Sequence, residues 1–140
     1  MGSRRVLIDT SILIEYFRKR DKTKTLLFKL IKNDYHLAVS TITYFEYLNG
    51  SANELFSKKL FSIIEIKSFD EFQSKKASEI FKDLKRKNLL VDFRDILIAA
   101  CALCENIPLC TLNIKHFTRI ENLTIFNNLF KPQSNEDHFE

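Results

Sequence analysis

No stretch of this chain is long and apolar enough to cross a membrane as a helix, which takes about 20 apolar residues. Val6 to Ile8, the apolar run near its start, is far too short for the hydrophobic region of a secretory signal. Cysteine is sparse and odd in number: Cys101, Cys104 and Cys110. Cys101 and Cys104 make a C-x-x-C spacing inside a helical run, but no second Cys or His pair stands at zinc-ligand spacing. The three therefore read as reduced, buried, small apolar residues of a cytoplasmic protein. Tryptophan is absent and glycine scarce beside 13 Phe and many Ile, Lys and Asn, a sign of an AT-rich coding genome that says nothing of mechanism. Repeats and linkers are missing as well, which leaves one domain over residues 4–130 and no membrane partner.

A strong charge of one sign is lacking too. The formal net charge is +4 and the pI near 9.0, which permits contact with nucleic-acid phosphates without requiring it. With 140 residues, 45% of them hydrophobic and 29% charged, the chain is large enough to bury a core and ordinary for a globular protein.

Residues 1–3 read as a remnant of expression and are set aside. Residues 4–8 form a short buried strand, since Val6, Leu7 and Ile8 are consecutive. Asp9 ends it, and Thr10 and Ser11 offer N-cap hydroxyls for a helix through about Arg18. Leu26, Leu27, Leu30 and Ile31 give a second helix, residues 25–33, one apolar face. A strand over 36–39 leads into a helix capped by Ser40 or Thr41 and running to Asn49, with Gly50 as its C′ residue. A helix over 54–60 and a strand over 62–66 precede a long helix over 70–87, striped by Phe72, Ala77, Ile80, Phe81 and Leu84. After a loop at 89–93, the helix over 95–105 is apolar on nearly every side and must lie deep against a sheet. Strands at 108–111 and 123–126 flank a short helix at 114–119, and a polar, disordered tail follows over 131–140. Strands alternating with helices predict an α/β fold with a mostly parallel sheet. Sites in such sheets lie beyond the carboxyl ends of strands, where Asp9 and Asn113 fall.

Three carboxylates stand out. Asp9 lies between a strand and a helix, where an N-cap role also explains it. Glu46 sits among bulky apolar groups; a capping box with Thr43 is the structural alternative, although a cap at Ser40 or Thr41 leaves Glu46 mid-helix. Asp95 opens the most hydrophobic helix, whose N-terminus alone favours a negative charge, while Asp92 one turn earlier is itself a cap. Each residue has a structural explanation by itself. If they converge they repel one another, and a hard cation such as Mg²⁺ or Mn²⁺ is the usual remedy. Such an ion permits phosphodiester hydrolysis by a metal-activated water attacking in line.

Three stretches together resemble the PIN-domain ribonucleases, in particular the VapC-type toxins of type II toxin–antitoxin systems. Val6-Leu7-Ile8-Asp9-Thr10-Ser11-Ile12-Leu13-Ile14 is similar to the family's opening strand and signature. Val39 to Gly50 carries Glu46 where the family has an acidic residue before a glycine. Asp95-Ile96-Leu97-Ile98-Ala99-Ala100-Cys101-Ala102-Leu103, followed by Thr111-Leu112-Asn113 and His116-Phe117, resembles its ending.

The resemblance implies a three-layer α/β/α fold with Asp9, Glu46 and Asp95 as metal-binding, catalytic carboxylates of a cytoplasmic, Mg²⁺- or Mn²⁺-dependent endoribonuclease. The fourth family position, often Asp, is Asn113, a neutral amide that adds no charge, so one ion is expected rather than two. Ser11 and Thr111 are expected to hydrogen-bond the carboxylates or metal waters. Asp92 is either an extra ligand or, on the stronger reading, a cap. Arg94 and Arg18 are expected to contact RNA or an antitoxin, and His116 to pack or cap the short helix. The family also implies a homodimer and a cognate VapB-type antitoxin, whose tail occupies a groove leading to the acidic site. Tyr16, Phe17, Arg18, Tyr44 and Tyr47 are candidates to line it, with Phe17 and Tyr44 read first as core. Two other functions stay open, a PIN nuclease of RNA processing and an inactive PIN-like module binding RNA or protein.

Overall fold

Side chains alternate between the two faces of a strand, and that alternation sets the layers here. The structure, a computed structural model, describes residues 4–50 and 53–126. Strands β1 (Arg5–Ile8), β2 (His36–Ser40), β3 (Ile64–Lys67) and β4 (Leu109–Cys110) form one sheet in the order β3-β2-β1-β4, with every pairing parallel. Leu7 pairs with Ala38 on one side and Leu109 on the other. These three share a core with α5 (Glu71–Arg86) and α6 (Phe93–Glu105). Their strand neighbours Val6, Ile8, Leu37, Val39 and Cys110 point the opposite way. There they meet α1 (Thr10–Arg18), α2 (Leu26–Lys32), α3 (Thr41–Gly50) and α4 (Glu54–Leu60). The result is the expected α/β/α sandwich. With both faces covered, β1 has no use for a polar position, hence the unbroken Val6-Leu7-Ile8.

Helix α6 buries Ile96, Ile98, Ala99, Ala100, Cys101 and Ala102 in the core it shares with α5 and with Leu7, Ala38 and Leu109 of the sheet. Few glycines are needed to end the helices. Asp34, Asn88, Asn106 and Asn122 take the positive φ angles, a left-handed region that Asn and Asp tolerate through local hydrogen bonding.

Several sequence expectations are corrected. The α1 cap is Asp9 itself, whose carboxylate accepts from the Ser11 amide, so Thr10 and Ser11 are helical. Gly50 is the last described helical residue of α3 and has no positive φ. Strand β3 begins at Ile64, because residues 61–63 form a turn after α4. On α5, Gln73 takes a buried position and donates from Nε2 to the Ser68 carbonyl, whereas Phe72 is 69% exposed. Phe81 is exposed as well. The expected strand at 123–126 contributes a single bridge, Ile125 to Leu109. The short helix α7 (Ile114–Phe117) stops before Thr118. Cys101 and Cys110 are buried, with burial pushing each thiol up to about 12, but Cys104 is exposed. Residues 1–3 and the tail lie outside the described residues. Among those described, no helix is long and apolar enough to cross a membrane.

Candidate functional site

The strand order changes direction at β1, with β2 on one side and β4 on the other. Loops diverge at such a point and open a crevice at the carboxyl ends of the two strands. Asp9 directly follows β1, and Thr111 directly follows β4. Both therefore stand at the crevice.

Asp9 is buried and held from two sides. Its Oδ1 accepts from the Ser11 amide (3.1 Å) and Ser11 Oγ (2.5 Å), and its Oδ2 accepts from Thr111 Oγ1 (2.6 Å). The hydroxyls are oriented in turn, Ser11 Oγ accepting from the Leu112 amide and Thr111 Oγ1 from the Asn113 amide, each at 2.9 Å. A hydroxyl that accepts from an amide keeps its own proton to donate, so Asp9 meets a fixed set of donors. Burial pushes its carboxyl above the usual carboxylate range, and the Ser11 and Thr111 hydrogen bonds hold it back.

Asp95 lies in the first turn of α6. Burial raises its carboxyl, His116 opposes that rise, and the negative charges of Asp92 and Asp9 add to it. His116, on α7, places Nδ1 3.2 Å from Asp95 Oδ2. Its role is thus a carboxylate contact across the crevice, which replaces the expected packing or capping.

Glu46, on α3, accepts from Thr10 Oγ1 at 2.6 Å through Oε1 and from Arg94 Nη1 at 3.0 Å through Oε2. No capping box with Thr43 forms, and Thr43 Oγ1 is buried without a partner among the described residues. Asp92 caps α6 and accepts from the Arg94 amide, Nε and Nη2 at 2.8, 3.2 and 3.1 Å. The Arg94 guanidinium beside Asp92 holds that carboxyl below the usual range. Asn113 is exposed at the head of α7, with no capping bond from its side chain.

The negative charge of Asp9 thus bears on Asp95, while Glu46 is held by Thr10 and Arg94. Among the described residues, no three His, Cys, Asp or Glu side chains are grouped closely enough to hold one ion together. The donors are nonetheless hard oxygens, and two partly desolvated, mutually repelling carboxylates suit a divalent cation of the Mg²⁺ or Mn²⁺ type. Thr10 and His116 were not expected at this site. Both sit inside the quoted motifs, but only the fold reveals which carboxylates they meet.

A cleft of about 620 Å³ begins at Thr10 and Glu46 and continues along Phe17, Arg18, Tyr47 and Phe56. Phe17 is 42% exposed and packs edge-on against Phe56, which corrects its core reading. Tyr16 stacks on Phe56 from behind, and Tyr44 packs edge-on against Phe61 on the α4 side; neither lines the cleft.

The family model described as PIN domain matches residues 6–123. This chain belongs to the PIN-domain family. The PIN domain here is 34% identical over 123 residues to Ribonuclease VapC1 of Methanocaldococcus jannaschii, covering 84% of this chain and 82% of that protein. It is 30% identical over 128 residues to Ribonuclease VapC2 of Rickettsia felis, covering 86% and 96%. Among solved structures, this PIN domain is similar to a chain of VapBC2 from Rickettsia felis bound to a promoter DNA fragment. The TM-score is 0.74 at 27% identity, with 89% of this chain and 98% of that chain covered. A chain of VapBC-1 from nontypeable Haemophilus influenzae gives a TM-score of 0.74 at 26% identity, covering 88% and 97%.

Proposed function

We propose that this PIN domain is a Mg²⁺- or Mn²⁺-dependent endoribonuclease, the toxin of a VapBC-type pair, with Asp9, Glu46 and Asp95 as its catalytic carboxylates. The observation that carries this reading is Asp9, buried at the strand-order crevice and clamped by Ser11 and Thr111, its charge bearing on Asp95. Its similarity to VapC ribonucleases supports the substrate class.

Asp9 and Asp95 are the residues to hold the ion, with Glu46 completing the set. A bound divalent ion supplies Lewis acidity toward phosphate and a water nucleophile at neutral pH. Ser11 and Thr111 keep the Asp9 carboxylate from rotating away. Asn113 offers an amide without charge, which favours one ion over two. Arg18, at the cleft wall, and Arg94, at its acidic end, are placed to meet phosphate or an antitoxin carboxylate. The apolar part of the cleft suits the tail of a VapB-type antitoxin, as the VapBC complexes among its structural neighbours support. Pairing with a second copy of the chain and a cytoplasmic location belong to the same reading.

A second reading, a PIN-like binding module without activity, draws on Asn113 and on the pairing of Glu46 with Arg94. The two separate in an RNA-cleavage assay with protein free of antitoxin. The nuclease cuts in Mg²⁺ or Mn²⁺, stops on chelation and is silenced by Asp9→Asn. Intact RNA of every class with either metal leaves the binding module.

A further inference from the structure

Arg94 holds two carboxylates at once. Asp92 meets it with both oxygens, through Nε, Nη2 and the backbone amide, while Nη1 reaches 48 residues back to Glu46. Glu46 has its other oxygen committed to Thr10. The three proposed carboxylates are therefore balanced differently. Asp9 is held by neutral donors and Asp95 by His116, whereas Glu46 is paired with a permanent cation from the chain itself.

A hard divalent ion of the Mg²⁺ type sits about 2.0–2.1 Å from its oxygen ligands. An ion that close to Glu46 Oε2 competes for the lone pairs now used by Nη1 and faces a like charge at short range. We infer that Arg94 is an internal counter-ion that competes with the divalent ion for Glu46, so that loading the site moves Arg94 off Glu46 while Asp92 retains it. The Arg94 side chain is 59% exposed, so solvent screens the Glu46 bridge and it opens readily. The two-point grip of Asp92 keeps the guanidinium nearby after release. Arg94 is thus a positioning residue that tunes when Glu46 joins the site, an inference that rests on the proposed metal site.

The test is Mn²⁺ titration calorimetry on the full chain, with Arg94→Gln, Glu46→Gln and the double variant. Arg94→Gln is expected to tighten Mn²⁺ roughly threefold, the scale of an exposed ion pair. In the Glu46→Gln background the same change is expected to do nothing. Equal tightening in both backgrounds reveals only long-range charge repulsion and overturns the competition. Unchanged affinity in Arg94→Gln, with Mn²⁺ still bound by the parent, overturns it too while leaving the metal site standing. Failure of both proteins to bind Mn²⁺ removes the proposed metal site itself, and the competition with it. Arg94 is exposed, so these variants are expected to fold as the parent does.

Discussion

Thr111 Oγ1 accepts from the Asn113 amide and donates to Asp9, so losing the hydroxyl strands a donor and an acceptor together. Thr111→Val keeps the shape and removes only that link. It is expected to lower Mn²⁺ affinity by roughly 10- to 100-fold, the range for residues that orient metal ligands; calorimetry that finds no change contradicts the clamp. Burial acts on Asp95 in a way that pH can read. Its folded carboxyl lies above the ordinary value of 3.8. Such a group contributes stability that is fully present below the unfolded value and is lost as pH rises through the folded one. In metal-free protein, Asp95→Asn should therefore gain in melting temperature relative to wild type as pH climbs from about 4 past the raised folded pKa. A difference that stays constant with pH counts against the burial. The strand-end placement of Asp9 was legible in the sequence, because the apolar run stops there, whereas Thr111 was read as part of its strand and directly follows β4 instead. Their contact was not legible, since it depends on β4 lying beside β1, a pairing across some 100 residues that no local pattern carries.

At the scale of elements, α6 was legible because it is apolar on almost every side, although it begins at Phe93, two residues before the start read from sequence. The stripe on α5 was read less well. Periodicity favours Phe72, yet the buried place goes to Gln73, which finds the Ser68 carbonyl inside the fold. The cleft between α1 and α4 was foreseen only through the family resemblance, since an exposed Phe17 looks in sequence like any core aromatic. Phe17 and Phe56 pack edge-to-face, with ring centroids 5.4 Å apart, and form its apolar wall. If an antitoxin tail docks there, Phe17→Ala is expected to weaken the complex by about 2 kcal/mol, a typical aromatic hot spot. RNA cleavage by the free protein should stay as it was. Unaltered antitoxin affinity places the tail elsewhere.

For the molecule as a whole, a sheet covered on both faces carries the three acids on separate elements: Asp9 directly follows β1, Glu46 lies on α3 and Asp95 on α6. The sequence showed these as separate acids; in the fold the charge of Asp9 bears on Asp95, and Glu46 pairs with Arg94. The central claim is that the crevice binds a divalent cation through those carboxylates. A ligand that binds only the folded chain stabilises it, by about 2.7 kcal/mol at a hundredfold excess over Kd. That amounts to a rise of several degrees in Tm for a chain of this size. The decisive measurement is the melting temperature with and without Mn²⁺, for wild type and Asp95→Ala. The account predicts a rise in wild type that chelation reverses and Asp95→Ala abolishes. An equal rise in Asp95→Ala, or none in wild type, contradicts it.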